Sequence, residues 1–226
     1  MRREQAELVK KLGYTFSDNT FLQNALTHRS VSADNNERLE FLGDSVLNFV
    51  IAAELFAIYP SAPEGDLSRL RASLVNKDTL AKLAKALDLG DFVILGSGEL
   101  KSGGFRRKSI LADALEAIFG AVFLDGGFDP CKSLIRRIYE PILGSSMDVD
   151  SLKDPKTRLQ EFLQSRRLQL PDYSLVEAVG KPHAQTFTIK CIVEAFQLET
   201  LGAGSSRRKA EQQAAEHALA KLLHEK

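Results

Sequence analysis

The sequence predicts an all-helical domain followed by an α+β domain, and two observations support this. Up to residue 143 the apolar residues recur at intervals of three and four, the period of amphipathic helices, and no convincing strand pattern appears. Beyond a polar segment at 144–151, alternation of apolar and polar residues predicts a strand at 186–194, between two helical patterns. We expect the second domain to have the order α-β-β-β-α.

The polar segment separates the two domains because it contains few residues that belong in a core. A chain of 226 residues also suits two unequal domains. We place a helical domain at 1–146, a linker at 147–153 and the second domain at 154–226.

The first domain begins with short helices within residues 1–30, where Ser17 or Asp18 is expected as a helix cap. The next helices are expected at 36–59, from Asp66 to Val75 with Asp66 as the cap, at 78–89 with Asp78 as the cap, at 109–122 and at 130–143. The helices at 36–59 and 109–122 are strongly apolar, so we expect both to be largely buried.

The helix expected at 36–59 carries an acidic stripe. At 100° per residue, Glu37, Glu40 and Asp44 lie within about 60° of one another. The helix at 109–122 repeats this layout with Asp113 and Glu116. The opposite sides of the two helices are expected to form core stripes, namely Leu39, Leu42, Val46, Phe49 and Val50 on the first and Leu111, Leu115, Ile118 and Val122 on the second.

If the two acidic stripes face each other, four carboxylates converge: Glu40, Asp44, Asp113 and Glu116. At about 5 Å and an effective dielectric constant of about 20, each like-charged pair costs on the order of 3 kcal/mol, so a cation is expected between them. Because neither stripe contains cysteine or histidine, an all-oxygen site favours Mg²⁺ or Mn²⁺ over zinc. The alternative is a solvated helix face, but two acidic stripes on apolar helices favour the metal site.

Three further features of the first domain leave alternatives open. Glu64 is either an ordinary loop acid or a further carboxylate near the cluster. His28 is expected to hydrogen-bond to the backbone rather than to take part in chemistry, because no second histidine accompanies it. The cations of a glycine-containing loop either contact phosphate or are solvated: Lys101, Arg106, Arg107 and Lys108.

The second domain opens with Asp154 as a helix cap and Pro155 at the first helical position. Its elements are expected as a helix at 154–167, strands at 173–179, 186–194 and 196–201, and a helix at 206–223. The last helix has a face of small residues, Ala210, Ala214 and Ala218, which allows it to lie close to a sheet.

Three cations, Arg207, Arg208 and Lys209, occupy the first turn of the last helix. Positive charge there opposes the helix dipole, so folding alone does not favour these residues. Together with the free N–H groups of the helix start they make an anion site suited to phosphate. The alternative is an ordinary charged helix end.

Composition adds few constraints. The 30 basic and 30 acidic residues give a formal charge of zero, so only local clustering of charge argues for nucleic acid. Cys131 and Cys191 have no metal or redox spacing and indicate reduced thiols. We see no signal peptide and no apolar run near 18 residues, and expect a cytoplasmic protein without a membrane partner.

The segment from Glu37 to Ser45 resembles the signature segment of bacterial ribonuclease III, and the segment from Asp113 to Ala117 resembles the second acidic motif of that family. Residues 154–157 and 204–211 resemble its double-stranded-RNA-binding domain. The likeness covers essentially the whole chain.

The resemblance implies a homodimeric, Mg²⁺-dependent endonuclease that hydrolyses double-stranded RNA, and the all-oxygen donor set allows Mn²⁺ as a substitute. It implies products with 5′-phosphate and 3′-hydroxyl ends and short 3′ overhangs, and substrates among ribosomal RNA precursors and other structured transcripts. The matched positions are Asp44 and Glu116 as catalytic residues, Glu40, Asp44, Asp113 and Glu116 as metal ligands, Glu37 and Glu64 as auxiliary acids, and Phe41 at the dimer interface.

In the second domain, one face of the first helix, the turn with His183 and the start of the last helix are expected to meet one face of RNA. The expected contact residues are Thr157, Gln160, Glu161, His183, Ser206, Arg207, Arg208 and Lys209. Two alternatives remain: a double-stranded-RNA-binding protein that does not cleave, which the intact acids disfavour, and a hydrolase of small phosphates, which would not need the RNA-binding domain.

Overall fold

The computed structural model describes residues 5–143, 153–181 and 185–224, and the chain divides into two compact units, residues 1–147 and 148–226. The first unit is helical within its described residues, and the second has the order α-β-β-β-α, so the predicted fold class is confirmed. The expected linker at 147–153 lies outside the described residues except for Lys153.

The helices of the first unit are α1 (Gln5–Leu12), α2 (Asn19–Leu26), α3 (Glu37–Ile58), α4 (Glu64–Leu74), α5 (Lys77–Ala86), α6 (Ser97–Lys101), α7 (Lys108–Gly126) and α8 (Phe128–Leu143). Helix α7 lies at the centre of this unit and is buried on nearly every side, while α2, α3, α5 and α8 pack around it. A mostly apolar sequence with few charges suits this position, since a helix surrounded by protein needs no polar face.

Two glycines allow α3 and α7 to touch backbone to backbone. A Cβ atom at Gly43 would overlap the carbonyl oxygen of Glu116, and one at Gly120 would overlap the carbonyl oxygen of Leu39. The amide nitrogen of Gly43 would lie 3.2 Å from that added Cβ of Gly120. Because only glycine leaves room for this contact, the crossing point of the two helices is fixed at these residues.

The caps of two helices differ from the sequence prediction. Helix α4 begins at Glu64, so Asp66 lies within its first turn and pairs with Arg69 at 3.0 Å instead of capping the helix. Helix α5 begins at Lys77, and the cap is Asn76, whose side-chain oxygen accepts from the Thr79 N–H at 2.9 Å. In both cases an earlier residue, Pro63 or Asn76, already has the extended backbone that a helix start needs.

One face of α3 was also predicted wrongly. Phe49 belongs to the exposed side of the helix and is 62% exposed, with Phe41 at 78% and Phe56 at 72%. Its ring contacts Phe128 edge-on, with centroids 5.6 Å apart. By length and hydropathy alone α3 qualifies as a membrane span, but its buried side packs against α7 in the helical unit.

The second unit contains α9 (Pro155–Ser165), β1 (Asp172–Val179), β2 (Thr186–Val193), β3 (Leu198–Gly204) and α10 (Arg207–His224). The strands form an antiparallel sheet in the order β1-β2-β3, and α9 and α10 cover one face of it. The core combines Leu159, Leu163, Cys191, Val193 and the small face of α10. A Cβ atom at Gly202 would overlap the backbone of α10, which shows how closely this helix lies on β3.

The glycine contact between α3 and α7 predicts a large effect of a small substitution. Gly120→Ala should lower the free energy of unfolding by about 2 kcal/mol or more, because the added methyl group forces two backbones apart. Urea unfolding followed by circular dichroism measures this. Gly98→Ala on α6 is the control, since a Cβ there has no neighbour within 4 Å and should change stability by less than about 0.5 kcal/mol. Equal stability of Gly120→Ala and the parent would contradict the packing described here.

Candidate functional site

Three carboxylates meet beside the crossing of α3 and α7. Oxygen atoms of Glu40, Asp113 and Glu116 all lie within 4.8 Å of one another. Glu40 is three residues before Gly43 on α3, and Glu116 is four residues before Gly120 on α7. The close approach at the glycines therefore places acids of one helix against acids of the other. We refer to Glu40, Asp113 and Glu116 as the acid cluster.

Asp44 lies next to the acid cluster but outside the group within 4.8 Å. Among the neighbouring charges, that of Asp44 raises the pKa of Glu116 the most. One of the Asp44 carboxylate oxygens accepts a hydrogen bond from the Asn48 amide at 2.9 Å, which orients the side chain along the exposed side of α3. The structure thus brings three of the four predicted metal ligands together and places the fourth beside them.

The negative charges of the acid cluster are only partly compensated within the protein. Glu116 is only 7% exposed, and burial together with the charges of Asp44, Glu40 and Asp113 raises its pKa to about 8. Burial, and then the charge of Asp113, also raises the pKa of Glu40. A buried glutamate that resists ionisation in this way is stabilised by a bound cation.

One cation, missed by the sequence analysis, contacts the acid cluster. The Lys77 ammonium lies 3.2 Å from Asp113 Oδ1. The hydrogen bond to Asp113 and the charge of Asp113 raise the pKa of Lys77. No motif identified Lys77, because it is 36 residues from Asp113 and only the packing of α5 against α7 brings the two together.

The acid cluster opens into a cavity of about 490 Å³. Besides Glu40 and Asp113, its lining contains six ionisable side chains: His28, Arg29, Glu37, Lys77, Glu99 and Arg107. Several of these are paired with each other, Arg29 with Glu37 at 3.4 Å and Arg107 with Glu99 at 3.0 Å. The cavity is therefore polar and can admit a charged group next to the acids.

The two predicted auxiliary acids occupy different places. Glu37 lies one turn before Glu40 and lines the same cavity. Glu64 lies at the start of α4, accepts a hydrogen bond from the Ser68 hydroxyl at 2.7 Å, and lines another cavity with Phe56. Glu64 therefore does not lie in the acid cluster of its own chain.

His28 is held by its own loop and by the segment that contains Ile94. Its backbone N–H donates to the Ile94 carbonyl at 2.9 Å, and its ring Nδ1 lies 2.8 Å from the Ser30 hydroxyl and accepts from the Ser30 N–H at 3.2 Å. Two of the cations expected in the glycine-containing loop form ion pairs: Lys108, the first residue of α7, pairs with Asp78 at 2.6 Å, and Arg107 pairs with Glu99. These ion pairs give two of the loop cations a partner within the protein.

The donor set of the acid cluster fits a hard divalent ion. All its ligand atoms are carboxylate oxygens, they lie within 4.8 Å of one another, and one of the carboxylates is buried. Mg²⁺ and Mn²⁺ prefer such oxygen ligands and commonly keep water or phosphate in their remaining positions.

In the second unit, the N-terminal ends of α9 and α10, which carry most of the predicted RNA-binding residues, lie side by side. Lys156 pairs with Glu211 at 2.6 Å, and Gln212 donates to Asp154 at 2.7 Å, so the start of α9 lies beside the early turns of α10. Arg207, Arg208 and Lys209 are exposed at the start of α10.

The remaining predicted RNA-binding residues have varied surroundings. The Ser206 hydroxyl accepts from the Lys209 N–H at 3.3 Å and so caps α10. The Thr157 hydroxyl donates to Asp154 at 2.9 Å, and Glu161 pairs with Lys153 at 2.7 Å. Gln160 is exposed, and His183 lies outside the described residues.

Known proteins share both units of this chain. Residues 18–142 match the family model described as Ribonuclease-III-like, and residues 155–222 match the double-stranded RNA binding motif. Ribonuclease 3 of Thiobacillus denitrificans is 59% identical over 217 residues, covering 96% of both chains. Ribonuclease 3 of Methylococcus capsulatus is 56% identical over 223 residues, covering 98% of this chain and 96% of that protein.

The helical unit also resembles solved structures of the nuclease domain of ribonuclease III from Campylobacter jejuni. One has a TM-score of 0.61 at 44% identity and covers 65% of this chain and 99% of that domain. Another, with a TM-score of 0.60 at 47% identity, covers 61% of this chain and 97% of that domain, and concerns flexibility in a region involved in dimer formation. With both domains matched and relatives more than half identical over almost the whole chain, the protein belongs to the ribonuclease III family.

Proposed function

We infer that the protein is an endoribonuclease that hydrolyses double-stranded RNA in a Mg²⁺-dependent reaction. The observation that carries this is the convergence of Glu40, Asp113 and Glu116 in a chain that also contains a double-stranded RNA binding motif. Structured transcripts, with ribosomal RNA precursors among them, are the proposed substrates. A binding protein without cleavage would not need these mutually repelling carboxylates, so the geometry favours the enzyme.

The chain's own residues bind and position the reacting groups. We propose that Glu40, Asp113 and Glu116 hold the metal and that Asp44, beside Glu116, completes the negative charge and orients water. Bound Mg²⁺ supplies positive charge that activates water and stabilises charge developing on the phosphate. Hydrolysis that breaks the bond to the 3′ oxygen leaves a 5′-phosphate and a 3′-hydroxyl. Glu37 is proposed to act from the cavity wall.

The exposed apolar face of α3 supports a homodimer. Phe41, at 78% exposed, stands beside a cavity of about 770 Å³ that Phe21, Leu39 and Leu124 help to line. An exposed row of aromatic side chains is costly in water and is typical of a protein interface. We propose that a second copy covers this face around a two-fold axis, which gives each duplex two acid clusters, one for each strand.

The paired helices of the second unit support an RNA interface. We propose that Thr157, Gln160 and Glu161 face a minor groove and that the cations at the start of α10 bind the intervening phosphates. Glu161 would accept from a ribose 2′-hydroxyl after exchanging its partner Lys153. Ser206 caps α10 and so positions its first turn for the phosphate contacts.

Of the predictions that follow from the proposed function, the first concerns cleavage. Glu116→Gln keeps the size of the side chain but removes a ligand charge, so cleavage of a labelled RNA duplex in Mg²⁺ should fall by about 10²-fold or more. Duplex binding measured in EDTA should stay within about twofold. Glu140→Gln, an exposed acid on α8, is the control and should cleave like the parent. Normal cleavage by Glu116→Gln would remove Glu116 from the proposed site.

The second prediction concerns pH and stability without metal. Unfolded Glu116 ionises near pH 4.5, whereas the folded protein keeps the proton until about pH 8. The folded state therefore loses stability as pH rises through this window, by up to about 5 kcal/mol, and stays lower above it. Urea unfolding in EDTA between pH 5 and 8.5 should show this decline in the parent, and a much weaker decline in Glu116→Gln. Saturating Mg²⁺ should oppose the decline, and equal slopes for both proteins in EDTA would contradict it.

The third prediction concerns assembly. Phe41→Glu should shift the protein from dimer to monomer at micromolar concentration, because a charge would be buried in the proposed interface. Light scattering measures the mass. Leu100→Glu, at a residue 52% exposed on α6, is the control and should remain dimeric. A monomeric parent that still cuts both strands would refute the interface and the proposed arrangement of two sites.

The fourth prediction concerns the start of α10. Neutralising Arg207, Arg208 and Lys209 together should weaken binding to every duplex alike. It should also flatten the plot of log affinity against log salt, by up to about 0.9 for each lost phosphate contact, the coefficient for duplex DNA. Lys190→Gln is the control, because Lys190 pairs with Glu199 on the sheet. An unchanged salt slope in the triple variant would leave these cations as an ordinary helix end.

A further inference from the structure

Lys77 is placed where folding alone gives no reason for a cation. It occupies the first helical position of α5, where positive charge opposes the helix dipole. The cap of this helix is supplied by Asn76, which accepts from the Thr79 N–H at 2.9 Å and donates to the Ser73 carbonyl at 2.8 Å. Capping of α5 therefore does not depend on the Lys77 side chain.

The Lys77 ammonium is directed at the acid cluster. It lies 3.2 Å from Asp113 Oδ1, and its charge also acts on Glu40 and Glu116, the other two members of the cluster. The Asp113 side chain is 24% exposed, whereas that of Lys77 is 67% exposed. The anion therefore lies in the wall of the site, while the ammonium reaches it on a long side chain that is mostly exposed to solvent.

A divalent ion and the Lys77 ammonium compete for Asp113. An ion coordinated by the acid cluster needs an oxygen of Asp113, and like charges at such separations repel strongly in a partly buried site. We propose that Lys77 is a built-in counter-ion of the acid cluster, which pairs with Asp113 when the metal is absent, is displaced when the metal binds, and thereby lowers the affinity for Mg²⁺. This inference rests on the proposed metal site and adds a residue that regulates its occupancy.

The proposal has two consequences that can be measured without a cleavage assay. Removal of the Lys77 charge leaves the carboxylates without their internal partner, so the metal-free protein becomes less stable and gains more stability from Mg²⁺. It also removes the competitor, so Mg²⁺ binds more tightly. An exposed ion pair is worth only a modest free energy, so the expected gain in affinity is about three- to tenfold.

Isothermal titration of the full-length protein with MgCl₂, without RNA, tests the proposal. Lys77→Gln should lower the Kd for Mg²⁺ by about three- to tenfold, whereas Lys77→Arg, which keeps the charge, should stay within about twofold of the parent. Lys108→Gln is the matched control. It removes an equal charge from a nearby pair, Lys108 with Asp78 at 2.6 Å, which does not include the acid cluster.

The outcomes separate this inference from the proposed function. A Lys77→Gln protein that binds Mg²⁺ no more tightly than the parent or than Lys108→Gln would overturn the counter-ion role and leave the metal site standing. A parent protein with no saturable Mg²⁺ binding, at concentrations that support cleavage, would overturn both. Thermal melts in EDTA give a second readout, in which Lys77→Gln should melt below the parent and show the larger rise on adding MgCl₂.

Discussion

The contact between the backbones of α3 and α7 is the constraint on which the rest of the helical unit depends. It exists because Gly43 and Gly120 have no side chain at the crossing point. Two strongly apolar helices can then approach closely, and the acids one turn away from each glycine are carried into contact. The favourable burial of apolar surface along α7 holds together carboxylates that would otherwise separate. Local repulsion is tolerated because it is coupled to extensive packing.

This arrangement ties function to a local loss of stability. Burial and neighbouring negative charge raise the pKa of Glu116 to about 8, so the metal-free site disfavours a full set of ionised carboxylates at neutral pH. Positive charge can offset this repulsion from two sources: a divalent ion from solution, or the Lys77 ammonium of the chain itself. The formal net charge of the sequence is zero, but the charged residues are unevenly distributed. Acidic residues are in excess at the crossing of α3 and α7, and exposed cations lie at the start of α10.

Periodicity along the sequence was sufficient to predict features that belong to a single helix. The acidic stripe of α3, the cap at Asp154 and the small face of α10 follow from residue spacing within a single helix. The role of Lys77 does not, because it depends on how α5 packs against α7. Phe49 was assigned to the core because its apolar character does not reveal which side of a helix meets the protein and which meets solvent or a partner. Glu64 could not be placed from the sequence, because it was assigned to the loop before α4 whereas it is the first residue of that helix.

The most direct test of the account is the position of a bound metal. Crystals of the full-length protein soaked in MnCl₂ can be measured at a wavelength where manganese scatters anomalously. We expect a peak about 2.0 to 2.4 Å from oxygens of Glu40, Asp113 and Glu116, with the Lys77 ammonium turned away from Asp113. A peak bound elsewhere, with the acid cluster empty and Lys77 still paired to Asp113, would contradict it.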